Sequence, residues 1–378
     1  MDLPVREFSA SGYRSLKQIH YPVSRLDVFV GANGVGKSNL YRGLELLRAA
    51  AANSLGHELA REGLDLALWA GPRTHHQPAV KLAVGLSAPN RLETSYRYEV
   101  EIGFPPKAAS PTFELEPQIK SETLTYVGDA RPVRLLERNG PSVMARDGNG
   151  RPATLDIDIL SSETVLGRLE DPSRYPELDV VRRTLLEWRF YHDLRTDADS
   201  PLRRPCVAVA APTLSSDGAN LAAVFATLAH IREDTVDLDA VVDAAFPGGR
   251  LITPPPRRTA SFGMTFAEFP KRIFEAGELS DGTLRFLSLA GALMAYRLPP
   301  FIALNEPEAS LHPDLMEPLA RLIAKAAERT QVWLVTHSER LAAAIAATGA
   351  GAIRTVTKRD GATTIEGLSR LGAFRDDD

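Results

Sequence analysis

The last part of the chain alternates short apolar runs with stretches in which apolar residues recur at helical spacing. The runs at 300–305 and 331–335 predict buried strands. The segments at about 282–296 and 313–328 predict helices, and a further helix is predicted from Glu339. Strands that alternate with helices in this way indicate a mostly parallel sheet.

The beginning of the chain shows a related pattern around a glycine-rich turn. Residues 5–23 carry short apolar alternations, which predict two strands with a turn near Ser11 and Gly12. A buried strand is predicted over 26–31 and a helix over 38–52, where leucines recur at helical spacing. Together with the last part, this pattern predicts an α/β protein.

The middle of the chain is less regular. Strand-like runs at 80–86, 94–104 and 121–127 are separated by prolines, which disfavour one long helix here. The stretch from about 105 to 200 is rich in turns and predicts an inserted lobe. Its clearest helix begins near Pro176. Sustained heptads are missing, so a long coiled-coil arm is not expected.

Composition limits the classes of protein that fit. The 378 residues are 44% hydrophobic and 24% charged, which suits a packed core. The net charge of −4 argues against a chain-wide nucleic-acid clamp, although a local basic patch stays open. The single cysteine excludes intrachain disulfides and fits a reducing setting. No run reaches the roughly eighteen apolar residues of a membrane span, so we expect a cytoplasmic protein without a membrane partner.

The segment GANGVGKS (31–38) matches the phosphate-binding P-loop pattern, and it lies between a predicted strand and a predicted helix. Glycines let successive backbone N–H groups converge on phosphate oxygens, and the helix directs its positive end at the same anion. Lysine reaches the β- and γ-phosphates, and the serine hydroxyl ligates magnesium. We therefore expect nucleotide contacts from Gly31, Asn33, Gly34, Gly36, Lys37, Ser38 and Asn39.

Three further stretches carry polar residues at the ends of predicted elements. In GELSDGTLRFLSL, Ser280 or Asp281 can cap the helix that follows. In FIALNEPEASLHP, Asn305 stands where phosphate-handling proteins usually place an aspartate, one residue before Glu306. In LVTHSER, His337 follows a buried strand. Each alone fits an ordinary structural role, but their order after a P-loop favours an ATPase site.

This order of motifs resembles the RecF/OLD/SMC-like ABC-type ATPase heads, in the compact predicted AAA-family form without a Toprim domain. The resemblance covers 5–52 and about 265–360. It implies an α/β P-loop NTPase fold, ABC-ATPase-like, with a mixed sheet and an inserted α+β lobe. The expected division is a head formed by 1–90 and 261–378, interrupted by the lobe at 91–260.

The resemblance also implies roles for single residues. Ser280 and Gly282 would bind the γ-phosphate of an ATP held by another subunit, although Asp281 and Thr283 depart from the usual LSGGQ letters. Glu306 would orient and deprotonate the attacking water, and Lys37 would assist catalysis. His337 would sense the γ-phosphate, with His312 as the weaker candidate. ATP and Mg²⁺ are the implied cofactors, with Ser38 and Asn305 at the metal. Gln77 is the nearest, unconvincing candidate for the glutamine of a Q-loop.

Asparagine at position 305 leaves two functions open. It is isosteric with aspartate and can accept a hydrogen bond, but it lacks the charge, so magnesium should bind more weakly. The first function is an ATPase that dimerises on ATP, in DNA repair and maintenance or anti-phage defence, with DNA or a separately encoded effector. The alternative is a slow or non-hydrolysing nucleotide switch. A transporter motor subunit is less favoured, because EPEASLHP is unlike transporter subunits. Arginines between 182 and 204 could form a basic face, but a solvated surface is the favoured interpretation.

Overall fold

The computed structural model describes residues 3–72, 78–88, 91, 93–105, 112–128, 131–192, 194–233, 235–369 and 371–374. Its strands are β1 (Val5–Tyr13), β2 (Leu16–Pro22), β3 (Leu26–Val30), β4 (Ala79–Leu86), β5 (Tyr96–Gly103), β6 (Gln118–Tyr126), β7 (Val133–Asn139), β8 (Ser142–Arg146), β9 (Pro152–Thr154), β10 (Arg189–Tyr191), β11 (Cys206–Val207), β12 (Arg250–Ile252), β13 (Thr259–Ala260), β14 (Gly263–Phe266), β15 (Phe269–Glu275), β16 (Phe301–Asn305), β17 (Gln331–Thr336), β18 (Ala352–Arg359) and β19 (Ala362–Ile365).

The helices are α1 (Lys37–Ala51), α2 (Leu55–Glu62), α3 (Leu64–Ala67), α4 (Val165–Arg168), α5 (Pro176–Glu187), α6 (Leu221–Thr227), α7 (Val236–Ala245), α8 (Asp281–Met294), α9 (Met316–Ala327) and α10 (Glu339–Ala347). A π-helical turn at Leu228–Arg232 extends α6, and short 3₁₀ turns precede α8 and α9. Among the described residues, no helix has the length and apolar character needed to cross a membrane.

The chain packs as two compact units. The first comprises Met1–Ser24, Gly31–Trp188 and Arg354–Asp378, and the second comprises Arg25–Val30 and Arg189–Ile353. These bounds differ from the predicted division, since the second half of the predicted lobe packs with the second unit. The division into a head and an inserted lobe stays a prediction about domains.

In the first unit, an antiparallel sheet runs in the order β2-β1-β4-β5-β6-β7-β8-β9. The predicted turn near Ser11 and Gly12 is wrong, because β1 continues to Tyr13 and the chain reverses at Arg14, whose φ is 47°. Gly12 serves another purpose. A Cβ there would lie 2.1 Å from the carbonyl oxygen of Ala79, so glycine allows β4 to approach β1 closely.

A buried carboxylate ties this sheet to the helices that cover it. Glu122 in β6 accepts hydrogen bonds from the Tyr98 hydroxyl (2.9 Å) and from the backbone N–H groups of Val165 (2.6 Å) and Leu166 (2.9 Å). Burial raises the pKa of the Glu122 carboxyl, although these hydrogen bonds oppose the rise. Glu122 therefore has a structural role.

The second unit contains the predicted parallel sheet. Strands β10, β16, β17 and β3 are neighbours in that order, and each pair is parallel, with Leu304 opposite Leu334 and Leu334 opposite Val28. Apolar side chains on α6, α8, α9 and α10 form one buried cluster with this sheet. The predicted strands and helices of the last part of the chain are confirmed. The carboxyl ends of β16, β17 and β3 meet at one edge of the sheet.

Candidate functional site

The P-loop follows β3 and ends where α1 begins at Lys37. The ammonium group of Lys37 donates to the carbonyl oxygens of Gly31 (2.7 Å) and Ala32 (2.9 Å), so the loop closes around the lysine. Gly34 and Gly36 have φ angles of 79° and 100°, which disfavour side chains other than glycine. The other predicted contacts, Asn33 and Ser38, are both exposed.

Two hydroxyl groups that the sequence did not point to support this loop from behind. The Thr363 hydroxyl donates to the carbonyl oxygen of Val35 (2.8 Å) and lies 2.6 Å from the Ser15 hydroxyl. Asn39 donates its side-chain amide to the Ser15 hydroxyl at 2.7 Å, so this group is engaged within the protein. Its predicted nucleotide contact stays a prediction. A Cβ on Gly36 would lie 2.0 Å from the Thr363 hydroxyl oxygen and 2.4 Å from that of Ser15.

The strand-end loop, residues 305–312, follows β16. Glu306 has a φ of 49°, and its N–H donates to the carbonyl oxygen of Val335 at 2.8 Å. A glutamate in this left-handed conformation is uncommon, and such strain is typical of functional positions. The Oδ1 atom of Asn305 is buried and accepts no hydrogen bond from the described residues. This oxygen is therefore an acceptor for which the described protein provides no donor.

Glu306 and His337 lie together, although they are 31 positions apart in the sequence. The Nδ1 atom of His337 is 3.5 Å from Oε1 of Glu306 and 3.7 Å from Oε1 of Glu308. Both Glu306 and His337 remain partly exposed, whereas the Glu308 side chain is only 6% exposed. The structure thus brings together the predicted general base and the predicted phosphate sensor.

Glu308 is a residue whose role the sequence did not assign. Its Oε1 accepts from the Thr336 hydroxyl and from the backbone N–H groups of His337 and Ser338, both at 3.3 Å. It therefore anchors the chain on both sides of His337. Its other oxygen is buried and has no donor among the described residues. The sequence feature that could have indicated this role is the second glutamate of the EPE segment, residues 306–308.

The signature loop, residues 277–282, leads into α8 and includes its first two residues. The Ser280 hydroxyl caps that helix by accepting from the N–H of Thr283 at 3.2 Å. The cap and a phosphate contact are compatible, because Ser280 is exposed. An open groove of about 540 Å³ is lined by Ser280, Gly282, Ser310 and His312 among others. The weaker switch candidate His312 lies here rather than beside Glu306.

Five arginines between positions 182 and 204 form ion pairs with carboxylates. Guanidinium groups pair with carboxylates in Arg182–Glu170, Arg183–Asp179, Arg195–Asp197, Arg203–Asp281 and Arg204–Asp199. The two charges of each pair cancel, which argues against a basic face, although the Arg182 and Arg203 side chains are themselves mostly buried. The Q-loop candidate Gln77 lies outside the described residues. Arg14 lies in the turn after β1 and pairs with Glu62 at 2.8 Å.

Comparison with solved structures confirms the predicted fold. The head of an SMC protein bound to the C-winged helix domain of ScpA is 16% identical, with a TM-score of 0.51 over 97% of this chain and 98% of that one. The Smc head with an extended coiled coil from Pyrococcus furiosus, bound to the C-terminal domain of ScpA, is also 16% identical. Its TM-score is 0.52, over 97% of this chain and 96% of that one. These likenesses show the fold of an SMC head domain.

Comparison with models of protein families identifies the family of this chain. No curated protein sequence matches the chain. A family model described as "AAA domain, putative AbiEii toxin, Type IV TA system" matches residues 28–343, which is most of the chain. The chain therefore belongs to this AAA domain family and is an AAA-type, ATP-binding P-loop protein with the fold of an SMC head.

Proposed function

We propose that this protein hydrolyses ATP and that two copies close around two ATP molecules. The carrying observation is the pair formed by Glu306 and His337, with 3.5 Å between a carboxylate oxygen and a ring nitrogen. A carboxylate and an imidazole at the end of a central strand suit the activation of water and the recognition of a terminal phosphate. The assignment of the catalytic roles is part of the proposal.

In the proposed reaction, Glu306 accepts a proton from the water that attacks the γ-phosphate, and His337 contacts that phosphate. Backbone contacts hold Glu306 in place: Arg285 in α8 donates to its carbonyl oxygen at 3.4 Å and to that of Leu194 at 2.9 Å. Lys37 and the loop N–H groups hold the β- and γ-phosphates. The preorganised donors stabilise charge that develops during transfer.

The residues present fit magnesium. Ser38 is exposed at the first turn of α1, where a P-loop serine can ligate the ion. The buried Oδ1 of Asn305 has no donor among the described residues, and a hydrated cation would provide one. When bound, Mg²⁺ supplies positive charge that neutralises the phosphate oxygens. The amide of Asn305 adds no charge of its own.

The dimer is proposed from the signature loop, whose exposed Ser280 faces a groove rather than the interior. Two copies that exchange this surface would bind ATP symmetrically. Both SMC heads were solved with a domain of ScpA bound, which supports a protein partner for this chain as well. The family description names a toxin–antitoxin system, and this supports defence with a separately encoded effector. DNA repair or maintenance, with DNA as partner, is the other proposed setting.

The test is the mass of the Glu306→Gln variant in solution with Mg-ATP, with Mg-ADP and without nucleotide. We expect a dimer only in the presence of Mg-ATP, because bound ATP is not hydrolysed when the catalytic base is removed. The control adds Lys37→Ala in the same background, which should bind no nucleotide and stay monomeric. A Glu306→Gln variant that binds ATP as a monomer would contradict the proposal.

A second candidate function rests on Asn305. If the missing charge slows hydrolysis strongly, the unmodified protein is a binding switch, and ATP-bound dimers should persist without any substitution. Rapid appearance of ADP from purified protein would exclude this candidate.

A further inference from the structure

The acidic residue in the signature loop, Asp281, forms an ion pair with an arginine. Asp281 and Arg203 form an ion pair at 2.6 Å between the carboxylate and Nη2. The Arg203 side chain is 14% exposed, whereas that of Asp281 is 60% exposed. The arginine is therefore largely buried, while the carboxylate stands at the surface beside Ser280.

Arg203 also holds the backbone of the signature loop. Its Nη1 donates to the carbonyl oxygens of Gly277 (3.1 Å) and Leu279 (2.8 Å). Its Nε donates to the carbonyl oxygens of Thr196 (2.9 Å) and Asp197 (3.2 Å). One planar group thus joins two loops, a task for which guanidinium geometry suits better than a lysine ammonium.

The ion pair between Arg203 and Asp281 also affects the electrostatics beside Ser280. A phosphate that approaches Ser280 would also approach the carboxylate of Asp281, and like charges repel. The guanidinium of Arg203 offsets the negative charge of that carboxylate, so the pair carries no net charge. Among the described contacts, the guanidinium of Arg203 binds loop carbonyl oxygens and the carboxylate of Asp281. These contacts favour a role in positioning the loop over direct contact with a phosphate.

We propose that Arg203 is a positioning residue, which fixes the signature loop and neutralises Asp281 so that Ser280 can receive the phosphate of an ATP held by a second copy. This inference rests on the proposed ATP-dependent dimer. It assigns a role to a residue far from the P-loop motifs in sequence.

The test measures the dissociation constant of the ATP-induced dimer by analytical ultracentrifugation, in a Glu306→Gln background. Arg203→Ala should raise this constant roughly tenfold or more, because it removes charged hydrogen bonds and leaves the charge of Asp281 unpaired. Fluorescent ATP should bind the monomer with unchanged affinity. The double variant Arg203→Ala with Asp281→Asn should recover part of the dimer, since the repelling charge is gone.

The matched control is Arg204→Ala at the adjacent position. This variant breaks the exposed ion pair between Arg204 and Asp199 and should leave dimerisation unchanged. Arg203→Lys serves if the alanine variant unfolds, and its dimer should be of intermediate strength. Full dimerisation of Arg203→Ala or Arg203→Lys would overturn the inference while leaving the proposed function intact. Failure of Asp281→Asn to recover any dimer would overturn the electrostatic part. A Glu306→Gln parent that binds ATP without dimerising would overturn both proposals.

Discussion

The P-loop and the strand-end loop, residues 305–312, satisfy their polar groups in opposite ways. In the P-loop, Lys37 donates to two carbonyl oxygens of the loop, and the hydroxyls of Ser15 and Thr363 support it from behind. In the strand-end loop, the buried Oδ1 of Asn305 and the buried Oε2 of Glu308 have no donor among the described residues. Its backbone also adopts positive φ angles at Glu306 and Ser310.

This difference shows which loop depends on a ligand. A loop whose groups are already hydrogen-bonded keeps its shape without nucleotide. Buried acceptors without donors are costly unless something provides a donor, and water on a cation can do so. We therefore infer that the P-loop is largely preformed, whereas the strand-end loop is completed when Mg-ATP binds.

The largest effect is expected for Gly36→Ala. The added methyl group would meet the hydroxyls of Thr363 and Ser15 at 2.0 and 2.4 Å, and φ is 100°. We expect loss of detectable ATP binding by calorimetry. The matched variant Gly34→Ala has a φ of 79° but meets no described atom within 4 Å, so it carries only backbone strain of about 1–2 kcal/mol. Equal ATP affinities for the two variants would show that the Ser15–Thr363 support is unimportant.

An intermediate effect is expected for Glu308→Ala. This change removes the acceptor that fixes Thr336, His337 and Ser338, so the imidazole should lose its position beside Glu306. We expect kcat to fall roughly 10- to 100-fold while ATP affinity changes little. The exposed Glu317→Ala, which breaks only a surface pair with Arg321, is the control. Wild-type kcat in Glu308→Ala would mean that Glu308 does not position His337.

The smallest effect is expected for Asn305→Asp. The new carboxylate has almost the same shape as the amide and adds one negative charge near the expected cation. We expect the Mg²⁺ concentration for half-maximal ATP binding to fall severalfold, measured by magnesium titration at fixed ATP. An unchanged midpoint would place residue 305 away from the ion.

Sequence was a good guide to local features and a poor one to long-range support. The apolar run before Asn305 and the glycines of the P-loop predicted elements that the structure confirms. By contrast, Ser15 and Thr363 are 348 positions apart, and Arg203 and Asp281 are 78 apart. No periodicity links residues that meet only after folding. The roles of Lys37, Ser280, Glu306 and His337 stay predictions, although the structure places Glu306 beside His337.

The proposed ATPase activity is tested most directly by steady-state Mg-ATP hydrolysis, measured side by side for the unmodified protein, Glu306→Gln and Asn305→Asp. We expect turnover by the unmodified protein, a loss of roughly 100-fold or more in Glu306→Gln, and a modest change in Asn305→Asp. The proposed ATPase activity would be contradicted if the unmodified protein showed no turnover and Asn305→Asp restored it. In that case the asparagine would make this site a binding switch.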